Sequence, residues 1–191
     1  MLSFNAKRNI PNALSVLRIF LTVLFVPFIF KKNFSVAMGI FATAAVTDFF
    51  DGCLARRWNV TSKFGAVIDP LADKFLMTLS YFSLFYLDFI PGYVCVIVFG
   101  RDVAILLAVF LCKIAHVELE IVPLKSSKIN TVTQLIYVFF VIACNFLFIN
   151  IPLTWEIQAS SIIVSLSTIV SGIDYVLKYY WIKDAICKNK R

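Results

Sequence analysis

The sequence has 191 residues, of which 61% are hydrophobic, 20 are Phe and only 15% are charged, with a mean hydropathy of +0.89. An ordinary soluble domain is about 45–50% apolar and about 25% charged, and a globule of this size cannot bury such an excess, so the chain reads as an integral membrane protein. Disorder, collagen-like repeats and a disulfide scaffold are excluded by the same figures, and residues 1–191 fit one membrane domain.

Net charge is +7, from 18 Lys and Arg against 11 Asp and Glu. The basic residues are not clustered on a polar face as nucleic-acid binding requires, so no nucleic-acid partner is expected. The five cysteines, Cys53, Cys95, Cys112, Cys144 and Cys187, form no CxxC pair. They read as small apolar residues of buried runs.

A hydrocarbon core of about 30 Å needs about 20 apolar residues per helix. Six stretches qualify: 12–30, 34–55, 69–87, 91–112, 128–150 and 153–179. The predicted fold is therefore all-α, six transmembrane helices preceded by a short amphipathic segment carrying Lys7 and Arg8. The first stretch has no small-residue cleavage site and many spans follow it, so it reads as a retained span rather than a cleaved signal. It is impure, with Asn12, Ser15 and Arg18 in its opening turns.

With six spans the termini share a side. That side holds Lys7, Arg8, Arg56, Arg57, Lys63, Lys113, Lys125, Lys128, Lys178 and the basic residues of the C-terminus, against Lys31 and Lys32 alone on the other. The positive-inside rule puts both termini in the cytoplasm. No transit peptide precedes the helices, so a bacterial inner membrane is the expected location.

Ionisable residues in a membrane span are costly and mark function by default. Four of the acids, Asp48, Asp51, Asp69 and Asp73, fall within 26 residues. Asp48, Asp51 and Ala55 share one face of the second helix, and Asp69 and Asp73 are one turn apart on the third. If Pro70 opens that third helix, Asp69 is its N-cap. The two helix ends meet at the cytoplasmic border, where the carboxylates can converge. Four such groups stay ionised only with positive compensation. An all-oxygen set suits Mg²⁺ or Mn²⁺, ions that bind through carboxylates together with substrate phosphates. Gly52 and Gly65 allow close approach of a ligand or helix, and Arg56 offers a fork for a phosphate. The competing structural reading is a set of helix caps and interhelical salt bridges.

The spacing Asp48-x2-Asp51-Gly52-x2-Ala55-Arg56-x8-Gly65-x3-Asp69-x3-Asp73 resembles, at all eight fixed positions, the signature of the CDP-alcohol phosphatidyltransferases. The six-span layout agrees. The resemblance implies that the four aspartates hold two divalent metal ions and that Gly52, Ala55, Arg56 and Gly65 help bind the CDP group. It assigns Asp73 as the base that deprotonates the acceptor hydroxyl. The substrate implied is CDP-diacylglycerol, with CMP leaving, and a homodimer is a common assembly in that family.

The start Asn9-Ile10-Pro11-Asn12-Ala13-Leu14-Ser15-Val16-Leu17-Arg18 resembles enzymes that make phosphatidylglycerophosphate or cardiolipin, which points to an anionic glycerol-type acceptor. The run Ser126-Ser127-Lys128-Ile129-Asn130-Thr131-Val132-Thr133-Gln134 resembles cardiolipin synthases of the eukaryotic type, which favours phosphatidylglycerol over glycerol-3-phosphate. Either acceptor is anionic, so Lys74, Arg101, Lys125, Lys128 and Arg18 are candidates to meet it. Lys125 and Lys128 also read as topological anchors, Arg101 as a partner of Asp102, and Arg18 as a snorkelling residue. His116, with Glu118 and Glu120, reads as a solvated loop. Trp155, Tyr179, Tyr180 and Trp181 read as an interfacial belt. Intramembrane prenyltransferases place their aspartates in two separated segments, and a cation transporter would spread its acids through the membrane depth; neither pattern fits this single cluster.

Overall fold

The computed structural model describes residues 4–58, 65–114, 124–147 and 154–189. Among these residues there are six helices and no strand: α1 (Phe4–Phe30), α2 (Phe34–Trp58), α3 (Gly65–Tyr86), α4 (Gly92–Ile114), α5 (Lys125–Leu147) and α6 (Thr154–Asn189). Each has 22 residues or more, enough at about 1.5 Å per residue to cross a hydrocarbon core. Among the described residues, Ala13–Phe30, Lys125–Leu147 and Trp155–Lys178 are apolar enough to span, and α2 adds the shorter apolar stretch Phe34–Asp48. The chain is an all-α membrane protein. Large apolar side chains such as Phe20, Val96, Leu106 and Ile163 point outward, as lipid contact demands and water would not permit.

The expected boundaries shift in several places, among them α5, which covers Lys125–Leu147. The amphipathic lead-in is continuous with the first span, because α1 begins at Phe4. The last helix runs past residue 179 to Asn189. The third helix opens at Gly65, so Pro70 sits inside it and Asp69 is not its N-cap. A proline at that position removes the hydrogen bond that the carbonyl of Ala66 would accept.

By their contacts the helices group into two compact units, Met1–Phe89 with Val138–Pro152, and Ile90–Tyr137 with Leu153–Arg191. In the first, α1 packs on both α2 and α3. The buried positions of α1 are Ser15, Arg18, Thr22, Phe25 and Ile29, spaced three and four apart along one stripe. The matching stripes are Ala37, Phe41 and Ala44 on α2, and Ala72, Leu76, Ser80 and Ser83 on α3. Small residues at Ala37, Ala44 and Ala72 let the backbones approach closely, which is how helices associate where lipid is as apolar as leucine. The Phe25 and Phe41 rings pack 6.0 Å apart within this core.

Two turns close the far end of this unit in the same way. After α1, Asn33 N–H donates to the Phe28 carbonyl and Lys32 N–H to that of Ile29, with Lys32 left-handed at φ 56°. After α3, Phe89 N–H donates to Leu84 and Asp88 N–H to Phe85, with Asp88 at φ 59°. Both are Schellman caps, in which the last helical carbonyls find donors. Asn33 then caps α2, its Oδ1 accepting from Val36 N–H at 3.4 Å. The aromatic pairs Phe30–Tyr86, at 5.4 Å, and Phe34–Phe89, at 5.3 Å, join the two turns.

In the second unit, α4 packs on α6, and a polar seam ties α5 to α6. The Tyr137 and Ser161 hydroxyls lie 2.6 Å apart. Gln134 Nε2 donates to Thr168 Oγ1 at 3.2 Å, and that hydroxyl lies 2.9 Å from the Asn130 Oδ1 it can donate to. Cys95 and Cys144 are buried thiols outside any disulfide, as expected; the side chains of Cys53, Cys112 and Cys187 lie outside the described set, as do His116, Glu118 and Glu120.

Candidate active site

The three packing stripes of the first unit run on into polar residues at the end opposite the Schellman turns. On α2 the stripe Phe41, Ala44 reaches Asp48. On α3 the stripe through Leu76 and Ala72 begins beside Asp73 and Asp69. On α1 it reads Thr22, Arg18, Ser15. The register that buries Phe25 and Phe41 therefore also turns the acids toward the arginine.

Arg18 is completely buried. Its Nη1 donates to Asp48 Oδ1 at 2.8 Å and also to Asp73 Oδ1, so one nitrogen bridges carboxylates from two helices. Ser15 Oγ, one turn earlier, donates to Asp69 Oδ1. Thr22 Oγ1 bonds the Arg18 carbonyl at 2.8 Å, which steadies the backbone that carries the guanidinium. Asp48 and Asp73 are each about half exposed, so the site opens to solvent on one side while its cation is sealed on the other. Two of the four motif aspartates thus share Arg18, and a third is held by Ser15 on the same face of α1.

Asp51, Gly52, Ala55 and Arg56 lie on α2 beyond Asp48, and Gly65 opens α3, but their side-chain surroundings fall outside the described residues. Among the described residues no group of three or more His, Cys, Asp or Glu is close enough to hold a metal ion. Asp48 and Asp73 are instead joined through Arg18. The donor set still fits a hard divalent ion, since the four motif aspartates offer carboxylate oxygens.

Of the candidate acceptor cations, Lys74, Lys125 and Lys128 are exposed. Arg101 is mostly buried and largely committed within its own unit. Its Nη1 donates to Asp102 Oδ1 at 2.9 Å, and its Nη2 to Ser127 Oγ at 2.7 Å and Ser171 Oγ at 2.9 Å. The Tyr175 ring lies 5.6 Å from the guanidinium carbon. Arg101 therefore clamps α4 to α5 and α6, and an apolar cleft lined by Ala104, Ala108, Gly172 and Tyr175 opens beside it. The sequence alone marks Ser15 and Arg18 as polar residues in the opening turns of the first span, and gives Ser15 no role at the site. The signal was there: Ser15, Arg18 and Thr22 are three and four residues apart in an otherwise apolar helix.

A polytopic helical membrane protein with carboxylates gathered at one end of its first three helices is the class these features define. The sequence profile of the CDP-alcohol phosphatidyltransferases matches residues 8–171, and the chain belongs to that family. It is 37% identical over 152 residues to a cardiolipin synthase (CMP-forming) of Rattus norvegicus, covering 71% of this chain and 50% of that protein. To the Homo sapiens cardiolipin synthase (CMP-forming) it is 37% identical over 146 residues, 68% of this chain and 48% of the relative. A probable phosphatidylglycerophosphate synthase of Mycobacterium tuberculosis is 30% identical over 181 residues, 89% of this chain and 81% of the relative. The chain thus spans about half the length of the cardiolipin synthases it matches.

Proposed function

We propose that the protein transfers a phosphatidyl group from CDP-diacylglycerol to a glycerol-type alcohol in phospholipid biosynthesis, with phosphatidylglycerol as acceptor and cardiolipin and CMP as products. The observation that carries the reading is the meeting of Asp48, Asp69 and Asp73 around Ser15 and Arg18, on the spacing the family shares. The similarity to cardiolipin synthases supports the acceptor. The relative from Mycobacterium tuberculosis, matched along most of its length, supports a second reading with glycerol-3-phosphate as acceptor.

In this reading Asp48, Asp51, Asp69 and Asp73 hold two divalent ions, Mg²⁺ or Mn²⁺. When bound, the ions offset the pyrophosphate charge and stabilise entering and leaving oxygens. Gly52, Ala55 and Gly65 keep the space beside the cytidine diphosphate clear, and Arg56 pairs with a phosphate oxygen. Asp73, half exposed, takes the proton of the acceptor hydroxyl. That oxygen bonds the lipid-side phosphorus as the bond from phosphorus to the bridging oxygen breaks, and CMP carries the electron pair away. Lys74, exposed beside Asp73 on α3, supplies positive charge for the acceptor phosphate. Both termini and the site face the cytoplasm, in a bacterial inner membrane.

The test gives purified protein CDP-diacylglycerol and Mg²⁺ or Mn²⁺, with phosphatidylglycerol and glycerol-3-phosphate in parallel, and follows CMP and lipid product. CMP and cardiolipin only with phosphatidylglycerol is the expected result. Product only with glycerol-3-phosphate transfers the assignment to the second reading, and CMP with neither refutes the glycerol-type acceptor.

A further inference from the structure

We infer that Arg18 is the resident counter-ion of the carboxylate site, and that a divalent cation loads only by displacing its guanidinium from Asp48 and Asp73. The inference rests on the metal-dependent reading above. A fully buried guanidinium is tolerable only when paired with anions, and Arg18 meets that need by bridging α2 and α3 through one nitrogen, Nη1. An ion held between Asp48 and Asp73 would draw on the same two carboxylates that now pair with Nη1, so ion and guanidinium compete for the charge between the helices. Each weakens the other's hold by the same factor, as linkage requires.

The competition has a consequence for order. With the cation seated, Arg18 is a buried positive charge displaced from Asp48 and Asp73. Its planar fork then matches a phosphate two bonds at a time, and a phosphate is what either lipid substrate brings. Arg18 thereby disfavours the ion alone and favours ion and phosphate together. The pair of roles needs no new residue, only a rotation of one side chain.

Direct binding of Mn²⁺ tests this without turnover. Free Mn²⁺ is measured by electron paramagnetic resonance against the full chain in detergent, with no lipid substrate present. Arg18→Gln keeps N–H donors and removes the charge, and it is expected to bind Mn²⁺ about tenfold more tightly than the wild type, within the usual span of coupled sites. Arg18→Lys keeps the charge and is expected to stay close to the wild type. Asp48→Asn is the reference that loses the ion. If Asp48→Asn abolishes Mn²⁺ binding while Arg18→Gln binds no more tightly than wild type, the role of Arg18 is overturned and the metal site stands. If no Mn²⁺ binding depends on Asp48 in any form, the metal reading fails and this inference with it. Should Arg18→Gln not fold, the wild type carries the test. Labelling of Arg18 by phenylglyoxal, read by mass spectrometry, is expected to rise with Mn²⁺ at the binding midpoint, and labelling that ignores Mn²⁺ overturns the displacement.

Discussion

Replacing Arg101 by Leu tests whether the clamp in the second unit is held by charge or by packing. The guanidinium contributes an ion pair to Asp102, two hydrogen bonds to Ser127 and Ser171, and a contact with the Tyr175 ring. Interhelical hydrogen bonds in membrane proteins contribute about 0.6 kcal/mol each, and a cation over an aromatic ring about 0.5–1 kcal/mol. Those three contacts together are worth about 2 kcal/mol. The ion pair is different in kind, because its side chains are only 11% and 21% exposed. Removing one partner of a buried pair costs about 3–5 kcal/mol, most of it the penalty on the charge left behind. Arg101→Leu is therefore expected to destabilise strongly, whereas Arg101→Leu with Asp102→Leu should recover all but about 2 kcal/mol of the loss. Unfolding by SDS titration in mixed micelles, followed by tryptophan fluorescence or circular dichroism, measures both. A single variant no less stable than the double variant refutes the argument, since it would mean that Asp102 does not depend on Arg101 for its charge.

Three further outcomes are expected. Thr168→Val keeps the shape of the side chain but takes the shared hydroxyl from Asn130 and Gln134, so stability should fall by about 1–3 kcal/mol; an unchanged SDS midpoint would show that the seam is not a load on stability. Asp73→Asn should leave a folded protein that still binds CDP-diacylglycerol but no longer releases CMP, with Arg18 retaining Asp48 as its anion; normal turnover would remove Asp73 as the base. Arg56→Ala should raise KM for the CDP-lipid by about tenfold or more, the worth of a charged hydrogen bond, and a defect confined to the acceptor would reassign that arginine.

Much of this arrangement was legible in the sequence, for physical reasons that can be named. The membrane class follows from composition because no globule of this size can hide so much apolar surface. The helices follow from run length because the bilayer leaves the backbone no alternative. The aspartates stand out because charge is rare in such runs. Arg18 was harder. Its spacing with Ser15 and Thr22 gives the face it occupies, but its pairing with Asp48 and Asp73 depends on how α1 is rotated against α2 and α3, a fact of packing and not of local pattern. Pro70 misled for the opposite reason. Its preference for the first turn of a helix placed the start of α3 at Asp69, whereas the structure carries the helix back to Gly65 and accepts a proline within it. The extra turn leaves Asp69 a helix-interior carboxylate bonded by Ser15 and frees it from any capping duty.

The Asn130–Gln134 run shows how a sequence resemblance and a physical role can diverge. Asn130 is fully buried and Gln134 nearly so, and both meet Thr168 on the neighbouring helix. An amide inside a membrane domain carries a large desolvation cost unless it is partnered; Gln134 Nε2 and Asn130 Oδ1 meet that need on Thr168 and bind α5 to α6, while Asn130 Nδ2 is buried without a partner among the described residues. Ser127 is held separately, through Arg101, which also bonds Ser171 on α6. Lys125, Lys128 and Thr131 lie on the exposed side of the same helix, where a headgroup can reach them. If this run distinguishes acceptors, the buried positions do so by setting the rotation of α5. Residues three and four apart on a helix share a face, so a single rotation fixes both sets at once: seating Asn130 and Gln134 on Thr168 dictates where Lys128 and Thr131 stand.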